Sequence, residues 1–257
     1  MTRQSAQDQG SVASHVVDGV ATVSFGHPKG NSLPGNLLAD LAARISDLGA
    51  DDNVNVIALR SDGTGAFCAG ASFAELAAIS DVEGGTRFFM GFANLINAMR
   101  ECPKLIVTRV HGKAVGGGVG IVAASDYALA TTGAQVKLSE LMVGIGPFVV
   151  GPVIERKIGA ANYAALGIDA ASWRSAEWAH ERGLFAELHA NVADLDTRIA
   201  ALTSQLAASN PAAMAELKKV LWQGCDHWRE LLPARARLSG TLVVSAPARQ
   251  AIQRFSS

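Results

Sequence analysis

The chain has 257 residues, 49% of them hydrophobic and 18% charged, with 22 Lys plus Arg set against 23 Asp plus Glu. That length suits one substantial domain with a smaller appendage, or two small domains, and the apolar fraction excludes a disordered chain. A formal net charge of −1, without a basic block or a basic–aromatic stripe, argues against nucleic acid as the main partner.

Residues 1–13 begin as a polar stretch with no apolar run of the signal-peptide kind, and a disordered tail is expected there. Residues 14–17 and 20–25 predict two strands around the turn Asp18-Gly19. After the loop 27–31, the spacing of Leu37, Leu38, Leu41, Ile45 and Leu48 predicts a helix over 34–48. The β-branched run 54–60 predicts a buried strand, and 82–99 a helix that ends near Pro103. A second buried strand is expected over 105–110, then a glycine-rich turn, a small-residue helix over 117–124, and short strands over 127–130 and 135–138. Residues 141–154 are very apolar but too short to span a bilayer, and Gly144, Gly146, Pro147, Gly151 and Pro152 interrupt them, so no membrane partner is expected. From about Pro147 the pattern turns helical, with helices over 160–167, 175–182, 194–209 and 211–230. Strand–helix units followed by helices alone predict an α/β core over 14–200 and a helical region over 201–257.

Cys68, Cys102 and Cys225 are too few and too scattered for a disulfide framework, and no Cys/His cluster has zinc-ligand spacing. Reduced thiols in a cytoplasmic protein, with no metal, are the expectation.

Two segments carry chemistry. The first, Ala66-Phe67-Cys68-Ala69-Gly70-Ala71-Ser72-Phe73, follows a strand and a turn and precedes a helical turn. Its small residues let a ligand approach the backbone, whose free N–H groups can hold a negative oxygen. The second, Val115-Gly116-Gly117-Gly118-Val119-Gly120, lies between a strand and a helix, where unpaired N–H groups and the helix dipole make a second anion site. The run misses the dinucleotide GxGxxG spacing and lacks the glycine a Walker loop needs. Taken singly, a glycine-rich strand–helix turn of this kind is more often only a tight connection.

Taken in order, Phe67-Cys68-Ala69-Gly70-Ala71, Gly112-Lys113-Ala114-Val115-Gly116-Gly117-Gly118, Ser125-Asp126 and Lys137-Leu138-Ser139-Glu140 resemble the crotonase (enoyl-CoA hydratase/isomerase) superfamily. The early Pro28, Asn31 and Leu33 fit the same pattern. The resemblance implies an α/β spiral of ββα units with a C-terminal helical trimerisation region, a homotrimer or a hexamer made of two trimers, and an acyl-CoA thioester substrate. Coenzyme A is then part of the substrate, and no separate cofactor is implied. By position it makes the backbone N–H groups of Ala71 and Gly117 an oxyanion hole for a thioester enolate, each donor worth on the order of 3 kcal/mol of barrier. Ala69, Gly70, Gly116 and Gly120 would contact substrate. Lys29, in the loop before Asn31, could approach the nucleotide; Phe73, Leu76, Phe88, Phe89 and Phe92 could line an acyl pocket, although aromatic residues at helical spacing are more often core.

Two-glutamate hydratases of the superfamily hold a water between two carboxylates, at positions that read here as Gly120 and Glu140. With the first carboxylate absent, one base that removes a proton at C2 and returns it at C4 suffices for double-bond isomerisation. The expectation leans modestly to an isomerase with Glu140 as acid/base. Hydration with a carboxylate borrowed from elsewhere, such as Glu75, or a non-catalytic acyl-CoA-binding relative, are the alternatives. Asp126 and His111 are read as structural, and Cys68 as a small buried filler.

Overall fold

A computed structural model describes residues 10–256 of the chain. The expected tail lies outside the described residues over 1–9, but its last part is ordered. Strand β1 (Ser11–Val17) starts three residues earlier than the sequence suggests, because residues 11–13 pair with Ser24, Phe25 and Gly26. Strand β2 (Val20–Gly26) returns antiparallel through Asp18 (φ 49°) and Gly19 (φ 77°). Two successive left-handed residues are what a two-residue hairpin turn requires, and Asp-Gly supplies them with little strain.

From β2 onward the sheet is parallel. Strands β3 (Val56–Ser61), β4 (Leu105–Val110), β6 (Tyr127–Thr131) and β9 (Glu187–His189) extend it in the order β1-β2-β3-β4-β6-β9. Parallel neighbours need crossovers, and helices supply them. Helix α1 (Gly35–Ala50) links β2 to β3, while α2 (Phe73–Ala78) and α3 (Val82–Glu101) link β3 to β4. Strand β5 (Ala114–Val115) and α4 (Gly117–Ala124) precede β6. The last crossover carries β7 (Gln135–Lys137), a 3-10 turn (Glu140–Val143), α5 (Gly151–Ile158), α6 (Ala160–Ile168), β8 (Arg174–Ser175) and α7 (Ala176–Glu181). Strands β5, β7 and β8 form a second, three-stranded sheet.

Both faces of the main sheet are covered, which is why its strands read as continuous apolar runs rather than alternating ones. Ala21, Val23, Phe25, Ile57 and Leu59 pack with Leu37, Leu41 and Ile45 of α1 in the main core. Val56, Val107 and Leu129 on the opposite face close against Leu195 of α8 (Val192–Ala207).

The helix expected over 211–230 is two helices. α9 (Pro211–Leu221) ends before Gly224 (φ 84°), and α10 (Trp228–Val243) begins afresh. α10 crosses α3 backbone to backbone: a Cβ on Gly85 would lie 2.8 Å from Gly240 Cα. The final helix, α11 (Ala246–Ser256), presses on the loop after the 3-10 turn, where a Cβ on Gly144 would stand 2.6 Å from Ala248 Cα. No helix among the described residues is long and apolar enough to cross a membrane.

Candidate active site

The two glycine-bearing segments are stitched together by backbone hydrogen bonds centred on Cys68. Cys68 N–H donates to Lys113 O (3.1 Å), and Val115 N–H donates to Cys68 O (2.9 Å). On its other side the first segment is held to the 27–33 loop, through Leu33 N–H to Gly70 O (2.8 Å) and Ser72 N–H to Leu33 O (3.1 Å). Gly70 sits between, at φ +89°, and a Cβ there would lie 2.9 Å from Val115 O. Only glycine fits that conformation in that space. Cys68 itself is buried, and burial pushes its thiol up to about 12, so it is a filler and not a nucleophile.

This stitching occupies the surrounding donors but not two of them. Gly116 N–H donates to Lys137 O (2.8 Å) and Gly70 N–H to Cys68 Sγ (3.4 Å). The N–H groups of Ala71 and of Gly117, the first residue of α4, have no partner among the described residues. The ring of Phe92 lies against Gly117, with Cε1 2.0 Å from where a Cβ would stand.

Ala71 and Gly117 border a cavity of ≈ 410 Å³. Its walls are apolar and include Leu76, Phe89, Phe92, Ile145, Phe148 and Val150. Ala69, Gly70, Phe73, Gly116 and Glu140, all picked out in the sequence, line the same space. Among the described lining residues, Lys137 and Glu140 are the two that carry charge.

Glu140 opens the 3-10 turn after β7, and its side chain reaches beneath Gly116. Oε1 lies 2.9 Å from the position a Gly116 Cβ would take, and Gly116 has φ +51°, so the glycine run makes room for the carboxylate. The residue as a whole is half-buried, but Oε2 is shut off from water and has no hydrogen-bond partner among the described residues. Burial is the dominant effect and pushes the carboxyl up to about 7, with a backbone hydrogen bond pulling the other way. A carboxyl poised near neutrality, with one oxygen shut off from water, can take and return a proton.

Gly120 lies one turn deeper in α4 and does not border the cavity. A Cβ there would lie 2.6 Å from Val150 Cγ1, so an apolar side chain fills the direction in which a carboxylate at that position would project. Glu75 does not stand in for it. Its Oε2 accepts from Gly35 N–H (2.8 Å) at the start of α1, and with Lys29 it borders a separate depression. Phe88 is in the core rather than at the cavity wall.

Two residues missed in the sequence, Val150 and Tyr163, also matter. Val150 gave no signal, since its contact with Gly120 spans thirty positions. Tyr163 donates from its hydroxyl to Pro147 O (3.2 Å), and its phenol is raised by burial and by the nearby Glu140 charge. Asp126 is structural: it accepts from Ile106 N–H (2.7 Å) and Trp222 Nε1 (2.9 Å) and pairs with buried Lys218 (2.9 Å). Ser72 caps α2, accepting from Glu75 N–H (3.4 Å).

Comparison with known proteins agrees with the fold. The family described as "Enoyl-CoA hydratase/isomerase" matches residues 16–256. A "Probable enoyl-CoA hydratase" of Bacillus subtilis is 26% identical over 238 residues, covering 92% of each chain. Human mitochondrial methylglutaconyl-CoA hydratase is 34% identical over 117 residues, 46% of this chain and 34% of that one. The solved structure of an enoyl-CoA hydratase from Bacillus halodurans superposes with a TM-score of 0.88 at 19% identity, covering 95% and 99% of the two chains.

Proposed function

The chain belongs to the enoyl-CoA hydratase/isomerase family of the crotonase superfamily, and from that premise we propose that it shifts the double bond of a 3-enoyl-CoA to the 2-position. Glu140 is the one base. It removes a C2 proton, the electron pair spreads over the thioester oxygen and C4 as a dienolate, and the same carboxyl returns the proton at C4. The N–H groups of Ala71 and Gly117 stabilise the enolate oxygen. Neither donor titrates, so the hole adds no competing acid beside the developing charge.

The observation that carries this reading is the filled space at the first carboxylate position, where Val150 packs on Gly120. Water addition at C3 needs a water held and activated there. Isomerisation needs a dry carboxyl with a raised pKa, and the environment of Glu140 supports that. Hydration of a 2-enoyl-CoA is the second reading, favoured by the name of the Bacillus subtilis relative that matches along 92% of its length. We place Lys29 near the coenzyme A nucleotide and expect a homotrimer or hexamer; the exposed Leu217, Val220 and Leu221 of α9 offer an apolar surface for such an assembly.

Incubation of the purified protein with trans-3-enoyl-CoA and, separately, trans-2-enoyl-CoA, followed by mass analysis, tests the choice. Conversion of the first to the second with no water added fits the proposal. A hydrated product from the second substrate would replace it with the hydratase reading.

A further inference from the structure

The sheet face opposite the acyl cavity holds a second cavity of ≈ 520 Å³, between β1–β4 and α8. Its chemistry differs from that of the first. Arg60 on β3 and Arg109 on β4 stand directly opposite each other in the parallel register, on the same face, and both line this cavity. Like charges at paired positions destabilise a sheet unless something compensates them.

The compensation in the protein is incomplete. Asp196 of α8 takes Arg109, accepting from Nε and from Nη2 (3.1 Å), while the buried Nη1 of Arg109 has no partner among the described residues. Arg60 has no ion-pair partner among them either. The imidazole pKa of His111, two residues beyond Arg109, is lowered by burial and then by the charges of Arg109 and Arg60. The other carboxylate at the cavity, Asp18, belongs to the β1–β2 turn. Val20 pairs with Val56, so Arg60 lies four residues further along, roughly 13 Å at the rise of a strand. The cavity therefore has a cationic end, where the half-buried Arg60 guanidinium has no ion-pair partner among the described residues and Arg109 has one buried N–H group without a hydrogen bond. Val20, Ala58, Ile199 and Ala200 line the rest of its floor and wall, with hydroxyls from Thr22, Thr203 and Ser204.

We propose that this cavity binds an organic carboxylate, its oxygens held by the Arg60 guanidinium beside Arg109 and its hydrocarbon lying along Val20, Ala58, Ile199 and Ala200. A guanidinium fork matches the two oxygens of a carboxylate, and a neighbouring cation that is only partly neutralised adds to the attraction. The acid supplies the negative charge that the Arg60–Arg109 pairing lacks. The site is separate from the Glu140 cavity and does not depend on the reaction assigned there.

Equilibrium dialysis with labelled hexanoate tests it, using the full chain and three variants. Wild type is expected to bind hexanoate saturably and not the uncharged hexanol. Arg60→Gln weakens binding by about tenfold or more, since a charge-assisted pair is lost, whereas Arg60→Lys keeps part of the affinity. Ala200→Trp, which fills the apolar part from an exposed position, abolishes binding. Equal affinity in wild type, Arg60→Gln and Ala200→Trp, or no saturable binding to wild type, overturns the proposal. Neither position borders the Glu140 cavity, so hexanoate held there would give that equal affinity.

Discussion

Glu140 combines two properties that a surface carboxylate lacks: an oxygen cut off from water and no side-chain partner for it. Its carboxyl is raised from 4.5 to about 7 by burial, and two consequences have opposite signs. Acting as a base, it must be ionised, so kcat/KM rises with pH through about 7, and Glu140→Gln lowers turnover by about 100-fold or more at pH 8. For stability, the folded state favours the neutral carboxyl. The cost of ionising it appears as pH rises from 4.5 to about 7 and stays constant above, on the order of 3 kcal/mol. Urea unfolding is therefore expected to find Glu140→Gln more stable than wild type at pH 8 and no more stable at pH 4. A variant less stable at both values would show that the carboxylate is held by bonds rather than strained by burial.

At the scale of elements, the site depends on glycines that allow close approach. Gly70→Ala would force a side chain to within 2.9 Å of Val115 O at φ +89°, displacing the neighbouring Ala71 N–H. Losing one oxyanion donor costs about 100-fold in kcat, with a smaller change in KM, and steady-state kinetics would separate the two. Gly240→Ala acts elsewhere: its Cβ would meet Thr86 N at 2.5 Å where α10 crosses α3. A loss of about 1–3 kcal/mol is expected, as for other overpacked contacts, read from the urea midpoint. The strands and the helices of the first half were legible because burial on both sheet faces leaves long apolar runs, and Asp18-Gly19 marks its turn chemically. The two glycine-bearing segments were legible as an ordered pair of motifs. The break at Gly224 was not, since both flanks continue a helical pattern. Nor were Val150 against Gly120, or the carboxylate of Glu75 turned to the start of α1, because those contacts join residues far apart in sequence.

On the scale of the molecule, the sheet separates two cavities of different character, one apolar around Glu140 and one with paired arginines beneath α8. The C-terminal helix ties the chain's end to the first of these, through Ala248 against Gly144 and Arg249 Nη2 donating to Ser80 O (2.9 Å). Removing α11 by ending the chain after Ser245 is expected to loosen the turn that carries Glu140 and admit water. The pH limb of activity would then move down from about 7 toward the ordinary range of a glutamate. An unchanged limb would mean that the enclosure of Glu140 owes nothing to α11.

A deuterium label carried at C2 of a trans-3-enoyl-CoA follows the single base most directly. If Glu140 takes the deuteron in a water-free cavity and returns it, part of the label appears at C4 of the 2-enoyl product in ordinary water. That retention is lost along with turnover in Glu140→Gln. Complete washout of the label, or a product that has gained water across the double bond, would contradict a shielded one-carboxyl transfer.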